Sequence, residues 1–379
     1  MRIRTLFLLL LATLVLSACS WMNPFSSRAP KPAELQTFQE RAELRPLWQV
    51  RVGDGGHYLF QPAVAGDSVY VAGQNGRVER IDAGSRSWNH NVGASLSAGV
   101  GSDGRTVAVV TERGELVALE ASTGEERWRT AAGVEVLAPP GVSGRTVVVR
   151  ASDSRLLGFD AQSGERRWVY QRNVPPLSLR NTAGMLVDGD VAVVGFPGGK
   201  MVAINLLNGG ALWELTVSMP RGVTELERVA DVAGVPVVGH NDVCAVTYQG
   251  RAACFDLSNG SVAWSREFSS SAGMDHDGRR VYITSADDAV HALDAASGAS
   301  VWKQGPLERR RLSRPLALDN AVVFGDLEGY VHALDRNNGS FIARGRAGSS
   351  AIEAAPVRIG PRSFVVQTRD GSVQAFEVR

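Results

Sequence analysis

Val117-Ala118-Leu119-Glu120-Ala121-Ser122-Thr123-Gly124-Glu125-Glu126-Arg127-Trp128 holds the unit from which most of the chain is built. A short apolar run ends in an acidic residue, a turn closes on glycine, and a tryptophan follows four residues later. Working outward, tryptophan recurs at Trp48, Trp88, Trp128, Trp168, Trp213, Trp264 and Trp302, spaced by 40 residues as far as Trp168 and less evenly beyond. Glycine stands four residues before six of them, at Gly84, Gly124, Gly164, Gly209, Gly260 and Gly298. Gly339 continues the series, with Ala343 where a tryptophan is due. The apolar-acidic ending repeats as Ile81-Asp82, Leu119-Glu120, Phe159-Asp160, Ile204-Asn205, Phe255-Asp256, Leu293-Asp294, Leu334-Asp335 and Phe376-Glu377. Upstream of each, Gly76, Gly114, Ser154, Gly199, Gly250, Asp288, Gly329 and Gly371 mark a second turn, preceded by β-rich runs such as Thr146-Val147-Val148-Val149.

Each part of the unit has a physical reason. Glycine enters the positive-φ region of a turn without steric cost, and the preceding Asp or Asn can accept the turn amides. Tryptophan presents a flat face that one small sheet cannot bury alone, so it must pack on the next sheet. A unit of about 40 residues with about four strands is a propeller blade.

The ends decide closure. The last copy, Gly371-Ser372-Val373-Gln374-Ala375-Phe376-Glu377, stops before its tryptophan strand, and the missing strand is present at the other end as Leu47-Trp48-Gln49-Val50. The sequence therefore predicts an all-β fold: an eight-bladed β-propeller of four-stranded antiparallel blades, closed by the N-terminal strand joining the last blade. An open array would need polar capping repeats, and none is visible.

The first residues read differently. Arg2 and Arg4 precede an apolar run from Leu6 to Leu16, of signal-peptide length and too short to span a bilayer. Leu16-Ser17-Ala18-Cys19 then matches the lipobox pattern of an aliphatic residue, two small residues and a cysteine whose thiol accepts diacylglycerol. The chain accordingly divides into a lipoprotein signal peptide (1–18), a lipidated Cys19 with a flexible Pro-bearing tether (19–45) and the propeller (46–379). Two acyl chains with an N-acyl group suffice for stable anchoring. Ser20 stands where a retained inner-membrane lipoprotein would usually carry Asp, and resemblance to that sorting rule implies an anchor in the outer membrane, facing the periplasm. A formal net charge of +1 with 21% charged residues gives no reason to expect nucleic acid as a partner.

The Ala-Leu-Asp, turn, Gly, Trp pattern resembles the repeat of quinoprotein (PQQ-type) propellers, over roughly residues 46–379. Combined with the lipobox, tether and bare ring, it is similar to the propeller-lipoprotein family of the outer-membrane β-barrel assembly (BAM) complex. That resemblance implies a non-enzymatic scaffold that binds the periplasmic POTRA domains of BamA and other BAM subunits. Nascent outer-membrane proteins are further candidate partners, since a blade edge could accept an added strand. The alternative is a periplasmic PQQ-dependent dehydrogenase. Against it, His57, His90, His240, His276, His291 and His332 show no metal-ligand spacing, there is no haem-attachment motif, and the repeated Asp residues are turn formers. Neither catalytic residues, nor a metal site, nor a cofactor is expected. Cys244 and Cys254 flank a predicted hairpin at Gln249-Gly250; a cross-strand disulfide and two buried thiols both fit that spacing.

The intervals from Trp168 to Trp213 and from Trp213 to Trp264 are longer than the rest, and each excess follows a tryptophan strand. In a four-stranded meander such connections emerge on one face, so the two loops should be neighbours and form the binding surface. The first reads Asn173-Val174-Pro175-Pro176-Leu177-Ser178-Leu179-Arg180. The second, Arg221 to Asp231, carries alternating charge and is compatible with a helical turn. The family resemblance implies BamA contacts through Leu177, Leu179, Arg180 and Asp231, with Glu227 and Arg228 beside them. A second family aspartate is replaced here by Ala233.

Overall fold

The computed structural model describes residues 31–180 and 182–379, so the signal peptide, Cys19 and Trp21 lie outside the described residues. Eight four-stranded antiparallel sheets follow one another in chain order, and there is no helix among the described residues. We number the blades by sequence, from blade one (Ala63–Asn91) to blade seven (Leu316–Arg346). Blade eight combines Val357–Arg358, Ser363–Gln367 and Ser372–Val378 with the N-terminal strand Leu44–Arg51. The predicted closure is present: Trp48 lies opposite Ala375, and Val50 opposite Val373.

The core is a set of apolar slabs between adjacent sheets. Ala98, Ala108 and Val110 of blade two pack on Val142, Val147 and Val149 of blade three. The same arrangement crosses the seam, where Val69, Val71 and Ile81 of blade one meet Val365, Val373 and Ala375 of blade eight. Ring closure thus rests on packing as well as on strand pairing, which leaves no open joint for a foreign strand.

The joints explain the tryptophan repeat. In each tryptophan strand a register shift precedes the tryptophan, and at every joint except that of Trp213 the side chain reaches the glycine turn of the next blade. Trp128 Nε1 donates to the Ala161 carbonyl at 3.0 Å, just after Asp160. A Cβ on Gly164 would lie 2.6 Å from the Trp128 ring, and its φ is +73°, so only glycine satisfies both the turn and the stacking. Trp88, Trp168, Trp264 and Trp302 repeat the bond onto Ala121, Leu206, Ala295 and Arg336. Ala343 also has a reason. The blade after it is blade eight, whose third strand Ser372–Val378 pairs with Leu44–Arg51 and not with a strand reached through an Asp-to-Gly turn, so a tryptophan at 343 would have no such turn to meet. Ala343 is buried there among Ile342, Phe376 and Leu44.

Residues 31–43, read from the sequence as part of a flexible tether, are docked on the ring. From Lys31 the chain already runs against the ring: the Ala33 amide donates to the Glu308 carbonyl, and the Arg41 and Ala42 amides donate to the Ile342 carbonyl. Regular pairing starts at Leu44, two residues before the expected boundary. Proline and polar residues give such a segment no hydropathic signature, so only its contacts reveal that it is docked.

Candidate protein-binding face

Two faces follow from the meander. The blade-to-blade connections and the hairpins between second and third strands share one face, here the loop face. The Asp-to-Gly turns occupy the other, the turn face. A central cavity of about 670 Å³ opens on the loop face, lined by residues such as Tyr58, Thr182, Gly234, Ser271, Arg314 and Arg369.

The two long connections lie side by side on this face, and Asp231 joins them. Its side chain is buried, at 1% exposure. One carboxylate oxygen accepts the Leu179 amide at 2.6 Å, and the other accepts the Gly198 amide of the blade-four hairpin at 3.1 Å. The Asp231 backbone carbonyl also accepts the Tyr248 amide at 2.9 Å. Behind it, the fully buried Arg150 lies with its guanidinium 5.6 Å from the Phe196 ring centre, while Arg172 lies 5.3 Å from the same ring. Burial pushes the Arg150 guanidinium down to about 10, and the Asp231 charge opposes that shift. It stays charged at neutral pH.

The first loop is thereby held with Leu177 and Arg180 outward and Leu179 half-buried. Arg180 donates to Glu135 Oε1 at 2.9 Å, reaching the connection between blades two and three. The second loop contains one helical turn. Thr224 and Glu227 form a reciprocal cap: Glu227 accepts the Val223 and Thr224 amides at 2.7 and 3.1 Å, and Thr224 Oγ1 accepts the Glu227 amide at 3.2 Å. Those amides hold the Glu227 carboxyl below its usual range. Arg228 is turned toward its own loop, donating to the Gly222 carbonyl at 3.1 Å and pairing with Glu225 at 3.5 Å.

Of the residues expected to contact a partner, Leu177, Arg180, Glu227 and Arg228 are therefore on the surface, Leu179 is partly covered, and Asp231 acts from beneath as the tie between the loops. Sequence reasoning missed the apolar part of the second loop. Met219, Val223 and Leu226 are exposed, Val223 at 91%. Their signal was the three-residue spacing of Val223 and Leu226 on a helical turn, masked by the charges around them. Leu177, Val174 and these three side chains give the face large apolar groups rimmed by Arg180, Glu225 and Arg228, the mixture that anchors protein interfaces.

Cys244 and Cys254 stand directly opposite each other in blade five and are joined as a disulfide, with Cα atoms 4.1 Å apart. Asp242 and His276 lie beside Cys244 and bond to each other at 3.1 Å. Because its sulfur is in the disulfide, Cys244 offers no thiolate to a metal there. The His291 and His332 imidazoles serve internal bonds, to Ser285 at 3.1 Å and Asp326 at 3.0 Å.

Comparison with known proteins identifies the family and the fold. The family model described as "Outer membrane protein assembly factor BamB" matches residues 74–304 and 289–379. An outer membrane protein assembly factor BamB from Burkholderia pseudomallei is 43% identical, covering 97% of this chain and 96% of its own length. The crystal structure of BamB from Moraxella catarrhalis superposes with a TM-score of 0.81 at 27% identity, over 88% of this chain and all of that one. A quinohemoprotein alcohol dehydrogenase from Comamonas testosteroni gives a TM-score of 0.68 at 14% identity, over 88% of this chain and 76% of its own, a likeness of fold alone. The relative 43% identical over 97% of this chain, together with the family match and the eight-bladed ring, places the chain in the BamB family of outer membrane protein assembly factors.

Proposed function

We propose that this chain is a non-enzymatic scaffold of the outer-membrane β-barrel assembly complex, docking the POTRA domains of BamA on its loop face and so assisting the folding and insertion of outer-membrane proteins. The observation that carries this reading is the pair of long connections locked together by Asp231. They present Leu177, Arg180, Val223 and Leu226 at one site that is ordered before a partner arrives. A surface held in its bound shape loses less entropy on docking. The protein works at the periplasmic side of the outer membrane, anchored through an acylated Cys19, a reading supported by Leu16-Ser17-Ala18-Cys19.

The scaffold reading is also supported by what the polar groups around the central cavity do. Asp288 accepts the Arg311 and Leu312 amides, and Glu353 pairs with Arg369. Both carboxylates are thus engaged in contacts that hold the loops around the cavity. Extraction of native membranes in mild detergent, followed by affinity capture and mass identification, tests the function. BamA should be recovered with the wild-type chain. Recovery of the chain without BamA, loaded with a quinone and oxidising alcohols, would overturn the reading.

A further inference from the structure

The segment from Lys31 to Glu43 has a seat built for it on the outside of blade seven. Arg309 Nε donates to the Lys31 carbonyl at 3.0 Å, Arg310 to the Ala33 carbonyl at 2.9 Å and Arg344 to the Gln36 carbonyl at 2.9 Å. Leu35 packs against the cluster containing Leu307 and Leu312. Phe38 stacks on Phe341 at 5.4 Å with the Arg344 guanidinium 4.9 Å from its ring centre. Two of these arginines are aimed from below. Arg310 is held by buried Asp326 at 2.8 Å and by Glu328, and Arg344 donates to His332 Nδ1 at 3.2 Å. Their remaining N–H groups point at the segment's carbonyls, as charge-assisted bonds require.

The two ends of the segment lie on different faces. Glu43 exchanges backbone hydrogen bonds with Arg379, at the turn-face end of blade eight. Ala33 is bonded to Glu308, in the connection from blade six to blade seven on the loop face. The segment therefore crosses the thickness of the ring and moves the N-terminal exit from the turn face to the loop face. At that exit Lys31, Arg309 and Arg311 are exposed. Arg310 points inward between two arginines with φ of +60° and +50°.

We propose that residues 31–43 are a docked strap that turns the loop face toward the lipid surface, where Lys31, Arg309 and Arg311 meet anionic headgroups. The proposal rests on the reading of Cys19 as the acylated residue. Two observations select a bilayer as the occupant. The chain between Cys19 and Lys31 can span at most about 40 Å at 3.3–3.6 Å per residue, which keeps this rim near the anchor. Its basic residues also match a surface whose attraction acts within about 10 Å. Released from blade seven, the chain would instead leave at Leu44 on the opposite face, on a link roughly twice as long.

The test uses the full acylated chain on vesicles of phosphatidylethanolamine and phosphatidylglycerol carrying a headgroup-attached quencher. A fluorophore is placed at Ser349→Cys on the loop face or at Ala296→Cys on the turn face, both exposed positions. Quenching is expected at position 349 and not at 296, and the double substitution Leu35→Ser with Phe38→Ser should abolish the difference. In Arg309→Gln with Arg311→Gln, the quenching gained from phosphatidylglycerol should be lost; an unchanged gain would remove these arginines from the contact. Equal quenching at both positions in the unsubstituted strap would overturn the orientation. Failure to bind vesicles any better than Cys19→Ser would overturn the reading of Cys19 itself, and the proposal with it.

Discussion

The Asp231 carboxylate accepts the Leu179 backbone amide at 2.6 Å, joining two loops across 52 residues of sequence. Replacing Asp231 by alanine leaves the Leu179 and Gly198 amides without their acceptor and removes the charge that opposes the desolvation of Arg150. Such a loss costs on the order of 1–3 kcal/mol. Asp231→Ala should speed amide hydrogen exchange across residues 173–180 and weaken BamA binding, while blades one, two, six and seven exchange as before. Exchange measured by mass spectrometry on the purified protein checks this. Binding lost without loosening of the loop would place Asp231 in the contact itself.

Arg180 and Glu135 form an exposed pair at 2.9 Å. Exposed pairs contribute roughly 0–1 kcal/mol, so neither partner matters much for stability. Arg180→Glu should leave the melting temperature nearly unchanged and sharply reduce co-purification with BamA. Glu135→Gln frees the guanidinium and should preserve or strengthen binding. Equal losses in the two variants would mean that the pair, and not the arginine alone, forms the surface.

Trp168 and Trp213 occupy equivalent positions but not equivalent environments. Trp168 is buried, stacks on Gly209 and donates to the Leu206 carbonyl at 2.8 Å. Around Gly260, the matching glycine for Trp213, the nearest group is Leu215, and a groove of about 400 Å³ opens beside it. Trp168→Ala should cost about 3–5 kcal/mol, the range for a large buried aromatic. Trp213→Ala should cost clearly less. Urea denaturation of the two variants compares them directly.

The disulfide between Cys244 and Cys254 closes a short loop inside one blade. A loop of that length predicts about 2–3 kcal/mol of stabilisation from the restricted unfolded chain. A Cys19→Ser form denatured without reductant should show no free thiol, and two after reduction. Two thiols before reduction would contradict the bond.

Acid sensitivity should appear before the carboxylates titrate. Burial, aided by Lys303, pushes the His291 imidazole down to about 4, and burial also lowers His332. In the unfolded chain both titrate near 6.5. Below that pH the unfolded state binds protons that the folded state refuses, so stability falls from about pH 6.5 toward 4 and is flat above it on this account. Urea midpoints at pH 7.5 and 5 should differ, and His291→Gln should reduce the difference. An identical difference in that variant would shift the effect to other groups.

The ring was readable from the chain because its causes are local and periodic. An Asp-to-Gly turn, a β-rich run and a tryptophan each act within a few residues, and repetition multiplies a weak signal eight times. The split blade likewise needed only a comparison of the strand at Trp48 with the one ending at Phe376. The adjacency of the two long loops followed from the meander, and the helical turn at Thr224 from its sequence. What those loops do with Asp231 was decided only in three dimensions. Burial of one carboxylate beneath two loops depends on partners at Leu179, Gly198 and Arg150, which no spacing connects. The same holds for the strap, whose carbonyls are met by arginines about 280 residues or more further along the chain. Ala343 stands between the two cases: its place in the repeat was plain, but its reason is that the next blade pairs Ser372–Val378 with the distant strand Leu44–Arg51 and has no Asp-to-Gly turn there. Periodicity carries the architecture, whereas hydrogen bonds between unrelated positions carry the surface that binds.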